Sequence, residues 1–216
     1  SMSAWDVAGI AAPAVLGRYA ILTALNRTSR RRIIRSVPAL LTSSTTSHPA
    51  PDAPPPKGDV VVPVYNNFED TSALLDVLAT DRTYDGRVIL VHDASSDARM
   101  GPLLKAFAAN NSRAVLLENP VNSGFVKTCN RGIAASERDV VILNTDITIP
   151  HGAIARLLRR LQSDADIATV TPFSNAAYCV GLPDLLYDNR LPFGSNASAI
   201  DQALQALPCM QEIVLP

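Results

Sequence analysis

Residues 59–65 read Asp-Val-Val-Val-Pro-Val-Tyr, an apolar run without polar alternation. Such a run marks a strand buried on both faces, as strands of parallel sheets are. Downstream, Asn66 and Asn67 can cap a helix whose Leu74, Leu75 and Leu78 supply the inward face. The stretch 83–87 then turns the chain into a second strand over 88–92, completing one βαβ unit. The alternation continues with a helix near 102–110 packing Leu103, Leu104 and Phe107, and a strand over 114–117. A helix near 125–136, a strand over 140–143, a helix carrying Ile154, Leu157, Leu158 and Leu161, and a fifth strand over 167–170 follow. This order predicts an α/β domain with a largely parallel, Rossmann-like sheet flanked by helices, and ligands at the carboxyl ends of the strands.

Upstream, TSSTTSHPAPDAPPPKG over 42–58 is too rich in Ser, Thr and Pro for a helix or central strand and reads as a linker. It separates an N-terminal helical or amphipathic segment, 1–41, from a domain over 59–216. Residues 7–25 are apolar, but Gly9, Pro13, Gly17 and Arg18 interrupt a stretch barely long enough to span a bilayer. The following Arg27, Arg30, Arg31, Arg32 and Arg35 suit either peripheral contact with anionic headgroups or a solvated helix face.

With 216 residues and 47% hydrophobic content the chain can bury a full core unaided. A net charge of -1 argues against nucleic acid as a partner, because duplex binding needs a concentrated positive field. Cys129, Cys179 and Cys209 lack zinc spacing and read as reduced thiols of a cytoplasmic protein, Cys129 on an apolar helix face. No GxxxxGK[ST] or GxGxxG loop is present.

Three polar clusters fall at expected strand ends: Pro63-Val64-Tyr65-Asn66, Asp93-Ala94-Ser95-Ser96-Asp97, and Asn144-Thr145-Asp146. Each alone reads equally well as a turn, and their convergence is what points to a site. These clusters, with ENPVNSGFVKTCNRGI over 118–133, resemble the family 2 glycosyltransferases over about 59–175. That family's first strand ends in a P-x-Y-N-like turn, its second in a D-x-S cluster, followed by an N-x-G…N-x-G segment and an acidic DxD region.

The resemblance implies a GT-A type fold and inverting transfer of a sugar from a UDP- or dTDP-linked donor to a glycan or lipid-linked acceptor, at the cytoplasm or the cytoplasmic membrane face. It implies that Pro63, Val64, Tyr65 and Asn66 line the nucleoside pocket, Tyr65 stacking on the base and Asp93 accepting from its imide N–H; a packing residue and a turn cap are the alternatives. Asn122 and Gly124 would open the helix that carries Asn130 and Gly132 and present its amino end to the diphosphate, the glycines allowing close approach, although a simple cap explains Asn122 nearly as well. Thr145 and Asp146 would sit at the metal, Mg2+ or Mn2+, with Asp146 as the ligand because Asn144 replaces the first acid of the triplet. Residues 171–175 resemble a segment near the donor sugar.

No catalytic residue is assigned. In the family the general base lies on a later segment, and the chain reaches Glu212–Pro216 where the strand preceding it would begin, so a truncated domain is expected. An exposed sheet edge would then favour a homodimer. The alternative is a catalytically incomplete nucleotide-binding or assembly module.

Overall fold

The structure, a computed structural model, describes residues 19–20, 53–175 and 196–205. The chain divides into two compact units, Ser1–Leu22 with Pro55–Pro172, and Thr23–Pro54 with Phe173–Pro216. Described strands of the first unit are β1 (Tyr19–Ala20), β2 (Asp59–Val64), β3 (Val88–His92), β4 (Ala114–Glu118) and β5 (Val140–Ile142). Its described helices are α1 (Phe68–Thr80), α2 (Met100–Asn110), α3 (Phe125–Ala134) and α4 (Ala153–Gln162). In the second unit α5 (Ala197–Gln205) starts where the Asn196 side chain accepts the Ala199 N–H at 2.9 Å.

The sheet has the order β1-β5-β2-β3-β4, and every pairing is parallel. The buried run of β2 lies between β5 and β3, with Val60, Val62 and Val64 packing on one side against Leu74, Leu75, Leu78 and Leu158. Val61, Ile89 and Val91 form a smaller cluster on the other face. Against that face lies α3, where Gly132 permits close approach: a Cβ there would stand 2.4 Å from Val61 Cγ1. Cys129 on the same helix is fully buried, and burial pushes its thiol up to about 12, so it is a core thiol and no nucleophile. Cys179 and Cys209 lie outside the described residues.

Three features depart from the sequence reading. Residues 167–170 form no strand, and Ile167 instead closes a turn by donating its N–H to Asp164 O at 3.3 Å. The β5 edge that a fifth strand would need carries β1, with Tyr19 opposite Val140, in a segment read as helical; the rest of 1–41 lies outside the described residues. The fold also begins before residue 59. Asp85 donates its N–H to Pro56 O at 2.9 Å and accepts the Gly58 N–H at 3.0 Å, so the last residues of the expected linker are built in.

At its amino end β2 buries a charge. Asp59 is fully buried and receives the Arg87 guanidinium at 2.7 and 3.1 Å, the Arg87 backbone N–H at 2.8 Å and the Ser136 hydroxyl at 2.8 Å. Burial alone would raise this carboxyl, but the hydrogen bonds from Arg87 and Ser136 and the guanidinium charge together hold it below the usual range. This pair locks the strand end opposite the loops described next.

Candidate functional site

The chain runs from β2 outward to β3 and β4, then crosses back to place β5 on the other side of β2. Strand order therefore reverses between β2 and β5, the place at which open α/β sheets take ligands in a crevice outside the carboxyl ends of the strands. Proline deepens it. Along β2 the backbone alternates, the Asp59 N–H going to Asp139 O before β5 and the Val60 N–H to Arg87 O before β3. Pro63 therefore faces β5 with no N–H to give, and β5 ends at Ile142. Beyond this point Tyr65 and Asn66 follow β2, and Asn144, Thr145 and Asp146 follow β5.

Pro63 and Val64 are buried strand residues that shape the crevice floor, whereas Tyr65 is 48% exposed and its ring is accessible. Asn66 acts as a clamp. Its backbone N–H donates to Ser95 Oγ at 2.9 Å, while its Oδ1 accepts from Ser96 Oγ at 3.2 Å and the Asp97 N–H at 3.1 Å. Ser95 in turn donates its N–H to His92 Nε2 at 3.2 Å. The helix-capping role expected of the asparagines is not seen: Asn67 precedes α1 in a left-handed conformation, φ 59°, with no side-chain cap bond. Asn66 and Ala94 are also left-handed, at φ 56° and 51°. All three non-glycine residues with positive φ among those described thus lie in the two loops that Asn66 joins, where strain concentrates at sites.

Asp93 is 2% exposed and is the hub of the next loop. Its Oδ1 accepts Asn119 Nδ2 at 2.6 Å and the Ser123 N–H at 2.8 Å, its Oδ2 accepts the Gly124 N–H at 2.9 Å, and the Thr128 side chain adds another bond. Burial works to raise this carboxyl; the bonds from Asn119, Ser123, Thr128 and Gly124 outweigh it and hold Asp93 below the usual range. About four donors fill a carboxylate. Two expectations change accordingly. The Ser123 and Gly124 N–H groups before α3 already hold an internal anion, so they are not free for a diphosphate. Gly132 serves helix-to-sheet packing rather than approach to a ligand, while Gly124, at φ 82°, supplies a backbone turn that a side chain would strain. Asn122 is exposed at the mouth of this loop, and Asn130 is half-buried on α3.

After β5, Thr145 is buried while Asp146 is exposed. Among the described residues no group of three or more His, Cys, Asp or Glu could hold a metal ion. A lone exposed carboxylate fits a hard divalent ion only when phosphate oxygens and water complete the shell, as Mg2+ sites commonly arrange. The donor set therefore suits an ion brought with a diphosphate and does not suit an all-protein cage.

The sequence over 59–177, which spans these loops and more than half of the chain, matches the family described as glycosyl transferase family 2. The chain belongs to this family. No curated protein sequence matches it. Among solved structures it is similar to a mannosyltransferase, PcManGT from Pyrobaculum calidifontis, in complex with GDP-Man and Mn2+, at 20% identity and a TM-score of 0.50. That likeness covers 63% of this chain and 40% of the other, so the chain spans two fifths of that protein's length. It shows the fold, an α/β sheet of GT-A type.

Within this family member hydrogen bonds join the loops that carry Tyr65 and Asn66, Asp93, and Asn122 and Gly124, while Thr145 and Asp146 follow the neighbouring strand β5. Of the residues 171–175, Thr171 and Pro172 fall in the first unit and Phe173 to Asn175 in the second. Asn119 carries no role in the sequence reading, and Ser95 enters it only as a member of the second cluster. The strand-end rule could have found Asn119, which directly follows β4.

Proposed function

We propose that the chain is the donor-binding part of a glycosyltransferase that takes a nucleotide diphosphate sugar with a divalent ion. The observation that carries this reading is that an exposed aromatic ring, Tyr65, follows β2 and an exposed carboxylate, Asp146, follows the neighbouring strand β5, at the point where strand order reverses. Base stacking on an aromatic face contributes about 1–3 kcal/mol. Across the crevice Asp146 would hold Mg2+ or Mn2+, which when bound neutralises charge on the departing diphosphate. Family membership supports sugar transfer, and the similar mannosyltransferase binds GDP-Man and Mn2+.

UDP or dTDP as the nucleotide, inversion at the anomeric carbon and a glycan or lipid-linked acceptor follow from the family resemblance. Asp93 enters this reading chiefly as the residue that shapes the pocket, since a contact to a base imide N–H would have to displace one of its present donors. The N-terminal arginines support peripheral contact with an anionic membrane. The β4 edge, paired among the described strands with β3 alone, supports a homodimer.

Calorimetric titration with UDP, dTDP, GDP and ADP, with and without Mn2+ or Mg2+, tests the reading. Metal-dependent binding of one nucleotide is expected. Binding of none would favour the alternative, an assembly module that keeps the fold without the ligand.

A further inference from the structure

Asn119 follows β4, and its backbone N–H donates to His92 O at 2.8 Å, extending the β3–β4 ladder by one step. This brings its side chain beside Asp93, and the amide is then engaged at both ends. Nδ2 donates to Asp93 Oδ1 at 2.6 Å and to Thr128 Oγ1 at 3.2 Å. Oδ1 accepts from Arg131 Nη1, which also donates to Glu118 O at 2.8 Å. With a carboxylate on one side and a guanidinium on the other, only one amide orientation satisfies both neighbours.

We propose that Asn119 is a positioning residue of the nucleotide site, fixing Asp93 and the amino end of α3 relative to each other. The inference rests on the reading of this crevice as a nucleotide-sugar site. Its physical basis is that Asp93 also holds the Ser123 and Gly124 N–H groups. The loop bearing exposed Val121 and Asn122 is therefore set by the carboxylate, and the carboxylate by the amide. A neutral amide is required. A carboxylate at 119 would face Asp93 oxygen to oxygen, with the Arg131 guanidinium and the Glu118 carboxylate, itself 3.4 Å from Lys105 and 3.8 Å from His92 Nδ1, as the other charged or titratable neighbours.

The test compares the full chain with Asn119→Ala and Asn119→Asp, measuring Kd for the tightest binder among UDP, dTDP, GDP and ADP in Mn2+, together with the melting temperature. The ratio of variant to wild-type Kd at each pH removes titration of the nucleotide itself. For Asn119→Ala the expected ratio is about tenfold and independent of pH, the equivalent of one good hydrogen bond. For Asn119→Asp the ratio is expected to exceed roughly tenfold near pH 8 and to fall towards one near pH 5, because two facing carboxylates then share a proton. A purely structural role would not produce that recovery. Unchanged binding in both variants, a pH-independent ratio in Asn119→Asp, or loss of cooperative unfolding in both would overturn the proposal. If the wild type binds none of the four nucleotides, the site reading fails first and the inference falls with it.

Discussion

The Oδ2 atom of Asp93 accepts the backbone N–H of Gly124 at 2.9 Å, so a carboxylate from the end of β3 sits on the amino terminus of α3. Partial positive charge at a helix start favours an anion there. Replacing Asp93 with Asn would turn an NH2 group towards existing donors and leave one buried backbone N–H unpaired. The expected cost is about 1–3 kcal/mol in denaturant unfolding, with weakened nucleotide binding. A variant as stable as the wild type would show that the loop is held elsewhere.

Asp59 makes acid stability testable. Its carboxyl is depressed in the folded chain, so its stabilisation is complete above the unfolded value, about 3.9, and is lost as pH falls through the lower folded value. Asp93 is shifted in the same direction. Thermal melts should therefore be flat in this contribution above about pH 5 and fall steeply below about pH 4. Asp59→Asn should flatten that decline and cost about 1–3 kcal/mol at neutral pH, a figure moderated because the Arg87 side chain is 43% exposed. An undiminished acid slope in the variant would assign the transition to other carboxylates.

Gly132→Ala places a methyl group 2.4 Å from Val61 Cγ1 and 3.0 Å from Val91 Cγ2. Both valines belong to buried β-strands, so relief requires α3 to move off the sheet. Overpacking of this kind costs about 1–3 kcal/mol. Urea unfolding should show a lower midpoint with an unchanged slope, and no loss would mean that α3 has freedom to shift.

Ala94 adopts φ 51°, a conformation that costs a side-chain-bearing residue roughly 1–2 kcal/mol. Ala94→Gly removes this strain while adding unfolded-state entropy, so a gain of about 0.5 kcal/mol is expected in the same assay. A loss of stability would show that the Ala94 methyl is better used in packing than its backbone strain suggests.

Legibility of the fold followed the range of the forces involved. The apolar run of β2 and the leucine spacing of α1 are local patterns, and both elements appeared with boundaries close to expectation. Residues 167–170 show the same kind of short run without a strand, and the β5 edge carries β1 instead. The three polar clusters are legible from strand ends alone, but what their side chains do is not. Asp93 looked like a ligand acceptor because its donors, Asn119, Ser123 and Gly124, lie 26 to 31 residues away. Asn66 looked like a cap because its partners, Ser96 and Asp97, belong to another loop. Long-range hydrogen bonding consumed the groups that local reading had left free for ligand.

Asp146 is the opposite case, an acid at a strand end that the fold leaves exposed to solvent. Exposed positions tolerate substitution within about 0.5 kcal/mol, so Asp146→Ala should melt with the wild type. If the ion is shared between this carboxylate and a diphosphate, metal alone should bind weakly, nucleotide alone weakly, and the two together cooperatively. Because such coupling is reciprocal, nucleotide should raise Mn2+ affinity by the same factor as Mn2+ raises nucleotide affinity. In Asp146→Ala both enhancements should vanish while metal-free nucleotide binding persists through the Tyr65 side of the crevice. Calorimetry of the four combinations checks this directly. An enhancement that survives the substitution would place the ion on other ligands and remove Asp146 from the site.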